Sequence, residues 1–200
     1  TQIDKEDFGF RIRCTMGDGR ESLFEGRAVL LATGVKDRFP PLSGLRECLG
    51  LTVYICPDCD GHETAGRRTV VMGSGNAGAS MAAALSYFGG DLVFVNHDAA
   101  EVADGLAVRL RELGIPMVVA PIGRVLTSGA PEEGRFAGVV LADGRTVEGE
   151  RGFIAFGDNE VRSDLARQLR VERMENRHIV TDPRTKMTSV PGVWAAGDVA

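Results

Sequence analysis

The 200-residue sequence predicts an α/β fold built on a parallel sheet, and three stretches carry that expectation. Ala28-Val29-Leu30-Leu31-Ala32-Thr33-Gly34 and Gly152-Phe153-Ile154-Ala155-Phe156-Gly157 are unbroken apolar runs that close on glycine, as buried parallel strands do at a ligand edge. Between them stand a strand over 68–72, the turn Gly73-Ser74-Gly75-Asn76-Ala77-Gly78, an Ala-rich helix over 79–85 and a second strand over 92–95. That order is the pattern of a Rossmann-like dinucleotide-binding unit.

In chain order, residues 1–31 alternate polar and apolar side chains around the turn Gly17-Asp18-Gly19-Arg20 and predict a hairpin or meander leading into the first buried strand. The paired prolines of Asp37-Arg38-Phe39-Pro40-Pro41-Leu42 predict an extended connector between domains. The apolar run 51–55 then predicts a strand that delivers Cys56-Pro57-Asp58-Cys59 into a Pro- and Gly-marked turn. Beyond the glycine turn, a helix over 106–113, a strand over 117–120 and a hairpin-like pair, 138–141 with 146–148, are expected. The final segment leads to Val193-Trp194-Ala195-Ala196-Gly197-Asp198-Val199, a strand closing on Gly-Asp. A carboxylate behind a glycine at such an edge suits ribose or ribitol hydroxyls.

Two cysteines separated by two residues can cycle between dithiol and disulfide through a thiolate, and Asp60 is the adjacent acid. Zinc held by Cys48, Cys56, Cys59 and His62 is the competing reading, but no second paired cluster accompanies the first. A thioredoxin fold would start a long helix at the dithiol, whereas Gly61 and Gly66 follow and a new strand begins at Arg68. Cys14 and Cys48 read as structural thiols.

The turn residues Gly73, Gly75, Asn76, Ala77 and Gly78 are candidate nucleotide contacts: the first glycines permit a tight turn and a close pyrophosphate, the third permits helix-on-strand packing. Past the second strand stand Asn96-His97-Asp98 with no arginine. Asp98 would accept from a ribose 2′-hydroxyl and repel a 2′-phosphate, which favours NADH over NADPH; a solvated strand end is the alternative.

A net charge of −5 without a basic run argues against nucleic acid or an anionic membrane as partner. No apolar run approaches a membrane span and no signal peptide opens the sequence, so a cytoplasmic protein is expected. Four cysteines do not make a disulfide scaffold, and a cycling dithiol suits a reducing compartment.

The ordered motifs Ala-Thr-Gly (32–34), CxxC-Asp-Gly (56–61), GxGxxG (73–78) and Gly-Val-Trp-Ala-Ala-Gly-Asp-Val (192–199) resemble the low-molecular-weight thioredoxin reductase family of flavoprotein disulfide reductases. The resemblance implies FAD held partly by Thr33, Gly34, Gly197 and Asp198. It implies that Cys59 meets the flavin, that Cys56 is its partner and that Asp60 protonates the departing thiolate; desolvation beneath a flavin would suit an acid to that task near neutrality. It divides the chain into 1–50 and 151–200, a partial FAD-binding domain, and 51–150, an inserted NAD(P)H-binding domain that carries the dithiol. The family's arginines for a 2′-phosphate are absent at 97–101, and its first glycine-rich FAD motif is not among these residues, so the chain reads as a fragment.

The expected activity is electron transfer from NADH or NADPH through FAD to a Cys56–Cys59 disulfide and on to a thioredoxin-like protein or small-molecule disulfide, in a homodimer. An oxygen-linked dithiol oxidase and a non-catalytic nucleotide-binding or redox-sensing module are the alternatives.

Overall fold

In the computed structural model, which describes residues 1–130 and 133–200, the alternation at the start of the chain becomes an antiparallel meander of β1 (Gln2–Glu6), β2 (Gly9–Thr15) and β3 (Glu21–Gly26). The apolar run after it yields β4 (Val29–Leu31), and β5 (Val35–Lys36) follows. A second part of the chain then supplies α1 (Leu45–Cys48), β6 (Val53–Tyr54), α2 (Pro57–Asp60), β7 (Arg68–Gly73), α3 (Gly75–Leu85), β8 (Asp91–Asn96), α4 (Asp104–Glu112) and β9 (Met117–Val119). It continues with β10 (Ile122–Ser128), β11 (Arg135–Leu141), β12 (Thr146–Glu148) and β13 (Arg151–Ala155). The chain closes with β14 (Glu160–Val161), α5 (Asp164–Gln168) and β15 (Val193–Ala195).

Residues 1–37 and 159–200 form one compact unit and residues 38–158 the other. The Pro-Pro connector therefore begins at the boundary. The second unit reaches beyond the expected 51–150 because Phe39 and Leu42 pack on the same core as Leu45, Cys48 and Phe156.

The centre of the second unit is a five-stranded parallel sheet in the order β6-β13-β7-β8-β9. Alternation along its strands feeds two cores. Val70, Met72, Val93, Val95 and Ile154 meet Val125, Phe136, Val139 and Leu141 of the antiparallel sheet β10-β11-β12. Val71, Leu92, Phe94 and Phe153 meet Ala79, Ala82 and Leu85 of α3 and Leu110 of α4. Strands covered on both faces read as continuous apolar runs, which is why β7 and β8 were evident in the sequence. The hairpin expected over 138–148 is a three-stranded sheet with β10 on its far side.

In the first unit, β4 and β15 run parallel with Leu31 opposite Ala195, and β5 pairs antiparallel with β14. Ile3, Phe10, Val29, Leu31, Ile179, Val193 and Val199 share its core. Among the described residues no helix is long and apolar enough to cross a membrane.

Candidate functional site

The dithiol follows β6 directly, in a one-turn helix rather than the expected turn. Cys56 is extended (φ −115°, ψ 112°) and caps α2, with Pro57 in the first turn, where its fixed φ suits a helix start and its missing N–H is no loss. The Cys59 N–H donates to the Cys56 sulfur at 3.2 Å, and the Asp60 N–H to the Cys56 carbonyl at 3.1 Å. Cys56 is half-buried and Cys59 exposed, both as free thiols. The hydrogen bond to Cys56, followed by burial and by the charges of Cys56, Asp60 and Asp58, pushes the Cys59 thiol up to about 11.

The next residues fasten this turn to the sheet. A Cβ on Gly61 would fall 2.3 Å from the Phe88 ring, so only glycine lets the chain lie so close. Glu63 accepts from Arg67 at 2.6 Å and from Arg151 of β13 at 3.0 Å, and the hydrogen bond from Arg151 is the main cause of its lowered pKa. His62 points outward and Cys48 lies in the core, so those two members of the set weighed for zinc stand in opposite environments.

All three motif glycines have a packing reason. A Cβ on Gly73 would meet the Ala155 carbonyl at 2.5 Å, and one on Gly78 the Phe94 ring at 2.2 Å. Gly75 has φ +48° and lies beneath Ala100 and Glu101. Ala77 at the start of α3 packs beside Gly157, the glycine beyond β13. The Asn76 side chain accepts the Ala103 N–H at 2.8 Å. Asp98 lies in the turn after β8, with His97 Nε2 at 3.7 Å. His97 faces the fold: its Nδ1 accepts the Ile122 N–H at 2.8 Å and its ring stands edge-on to Phe156.

The sequence placed Asn96 past the second strand and gave it no role, whereas it is the last residue of β8. It is 2% exposed, accepts the Gly75 N–H at 3.1 Å and donates to the Ala100 carbonyl at 2.8 Å. The available signal was a carboxamide closing an otherwise apolar strand, since a buried polar group needs partners.

The dithiol and the glycine turn leave the same edge of one sheet. β6 and β7 both run parallel to β13, which lies between them, so the two strands lie two strand spacings apart, about 10 Å. Ligands of open parallel sheets bind at that edge.

In the first unit, Thr33-Gly34 and Gly197-Asp198 issue from the carboxyl ends of the parallel neighbours β4 and β15, joined by the Ala196 N–H donating to the Leu31 carbonyl. Thr33 Oγ1 donates to the Arg162 carbonyl at 2.5 Å, and the Gly34 carbonyl accepts the Arg162 N–H. Gly34 and Gly197 have positive φ with open space where a Cβ would stand, and Asp198 is exposed. This backbone-lined edge with an accessible carboxylate fits the hydroxyl-bearing part of FAD.

Residues 1–200 match the family model described as pyridine nucleotide-disulphide oxidoreductase. The chain belongs to this family. It is 31% identical over 188 residues to the thioredoxin reductase sirT of Leptosphaeria maculans, covering 88% of this chain and 56% of that protein. It is 31% identical over 190 residues to the F component of the alkyl hydroperoxide reductase of Pseudomonas putida, covering 88% of this chain and 34% of that protein. The crystal structure of HlmI superposes with a TM-score of 0.81 at 29% identity, over 99% of this chain and 61% of that one. Within the family the chain is thioredoxin reductase-like in sequence and fold, and it spans between a third and two thirds of these relatives' lengths.

Proposed function

We propose that this chain carries the dithiol and the dinucleotide-binding part of a thioredoxin reductase-like, FAD-dependent disulfide oxidoreductase that takes electrons from a pyridine nucleotide and delivers them to a protein or small-molecule disulfide. The observation that carries the proposal is the shared sheet edge: the dithiol follows β6 and the glycine turn follows β7, two strands that run parallel on either side of β13. Gly73, Gly75, Asn76, Ala77 and Gly78 form the nucleotide turn, and Thr33, Gly34, Gly197 and Asp198 hold part of the FAD. Bound FAD supplies a two-electron relay between nicotinamide and disulfide.

The sulfur chemistry belongs to this chain. In the reduced state the Cys56 thiolate attacks one sulfur of the substrate disulfide, breaking that bond and forming a mixed disulfide. Cys59, once deprotonated, attacks Cys56, closes the Cys56–Cys59 disulfide and releases the substrate as a dithiol. Two electrons pass to the substrate, and Asp60 supplies a proton to a departing thiolate. The raised Cys59 thiol fits this order, because it keeps its proton until the mixed disulfide has formed.

Thioredoxin reductases among the relatives support a thioredoxin-like partner. The absence of arginine at 97–101 and the exposed Asp98 favour NADH. A cytoplasmic homodimer completes the proposal. Anaerobic titration of the full-length protein, followed by flavin absorbance, tests it: bleaching by NADH or NADPH with recovery on adding a disulfide is expected. A flavin that only a substrate dithiol reduces would replace it with the oxygen-linked dithiol oxidase.

A further inference from the structure

The segment that crosses the glycine turn is packed at its two ends, where His97 stands against Phe156 and Val102 against the core, while its middle is held by hydrogen bonds. Asp98, Ala99, Ala100 and Glu101 are all exposed, and Ala99 takes φ +51°, a left-handed conformation that is unfavourable for a non-glycine residue. Yet the segment lies tightly on the turn: a Cβ on Gly75 would stand 3.0 Å from the Glu101 carbonyl oxygen and 3.1 Å from the Ala100 Cβ. Two carboxamides keep it there. Asn96 reaches up from the end of β8 to bind the Gly75 N–H with Oδ1 and the Ala100 carbonyl with Nδ2, and Asn76 binds the Ala103 N–H from the start of α3.

We infer that Asn96 and Asn76 are positioning residues for the pyridine nucleotide, pinning residues 97–103 across the glycine turn and so setting the edge of the pocket that meets the nucleotide's adenosine half. This rests on the dinucleotide site proposed above. A Rossmann strand often ends in a carboxylate that takes the ribose hydroxyls itself. Here the strand ends in an amide spent on the protein's own backbone, so recognition of the ribose depends on where the pinned segment holds Asp98. Both ends of the Asn96 carboxamide are needed. An aspartate would still accept from Gly75, but it would turn an acceptor toward the Ala100 carbonyl and release the segment.

Calorimetric titration of the full-length protein with NADH, and with ADP-ribose, which lacks the nicotinamide, tests the inference. Asn96→Ala and Asn76→Ala should each weaken both ligands by the same factor, about tenfold, and Asn96→Asp should weaken them at least as much as Asn96→Ala. A purely structural role would lower the melting temperature and leave the Kd of the folded protein unchanged. Native affinity in folded variants overturns the inference while leaving the dinucleotide site intact. Failure of the unsubstituted chain to bind either ligand overturns both. Should Asn96→Ala not fold, Asn76→Ala decides, because Asn76 is exposed and its truncation leaves the core untouched.

Discussion

The amide nitrogen of Cys59 lies 3.2 Å from the sulfur of Cys56, across the first turn of a helix that Cys56 itself caps. The two sulfurs are therefore inequivalent in the dithiol. Cys56 receives a backbone donor, whereas Cys59 is held protonated chiefly by its hydrogen bond to Cys56.

Cys56→Ala should bring the Cys59 thiol back toward the ordinary range. Because the native value is about 11, thiolate at Cys59 accumulates only at strongly alkaline pH, and removing the largest cause lowers that point. At pH 8.5, alkylation of Cys59 in the variant should exceed that in the reduced native protein by at least about tenfold, since lowering a thiol's pKa by about one raises its thiolate fraction about tenfold. Peptide mass spectrometry across a pH series measures it, and equal rates would mean that Cys56 does not hold the proton.

In the full-length enzyme, Cys59→Ser should abolish disulfide reduction while sparing flavin reduction by the nicotinamide, since only the second half-reaction needs sulfur. Asp60→Asn should retain both cofactors and slow turnover by roughly ten- to a thousand-fold, the range of one general-acid step. Stopped-flow absorbance separates the two half-reactions. Turnover by the serine variant would remove Cys59 from the chemistry.

Much of the second unit was legible because β7 and β8 are covered on both faces and read as continuous apolar runs. β10 was not, since Gly123 and the register shifts at Ile122/Arg124 and Leu126/Thr127 break its alternation. The cysteine spacing was local and therefore visible, but the helix cap, the Glu63 pairs and the Gly61–Phe88 contact arise only when distant elements meet. The Asn96 pins were hidden for the same reason. Their partners, Gly75 and Ala100, come together only once β7 and β8 are paired.

Glu63 should make the dithiol turn sensitive to acid. Its folded pKa lies below the unfolded value, principally through the Arg151 hydrogen bond, so its stabilising contribution is present above the unfolded value and lost as pH falls through the folded one. Glu63→Gln should lower the melting temperature near pH 7 by about 2–4 °C, the size of a partly exposed pair worth up to about 1 kcal/mol. The two proteins should converge as the pH falls below the lowered folded value of Glu63, where its side chain too is neutral. A constant gap across the pH series would show that charge at Glu63 is not what fastens the turn.

Gly78 and Phe94 offer a test of why the third motif glycine is glycine. A Cβ at position 78 would fall 2.2 Å from the Phe94 ring, which is fully buried between α3 and the sheet. Gly78→Ala should therefore destabilise the fold by about 1–3 kcal/mol, the usual cost of overpacking a core. Phe94→Leu removes the ring atoms that clash and costs stability alone, but added to Gly78→Ala it should recover part of the loss, giving a favourable coupling of about 0.5–3 kcal/mol in a double-mutant cycle. Chemical denaturation of the four proteins measures that coupling. If Gly78 served only the close approach of a phosphate, the single variant would lose nucleotide affinity while keeping native stability, and the cycle would be additive. A favourable coupling instead assigns Gly78 to seating α3 on β8, the contact that aims the helix start at the sheet edge.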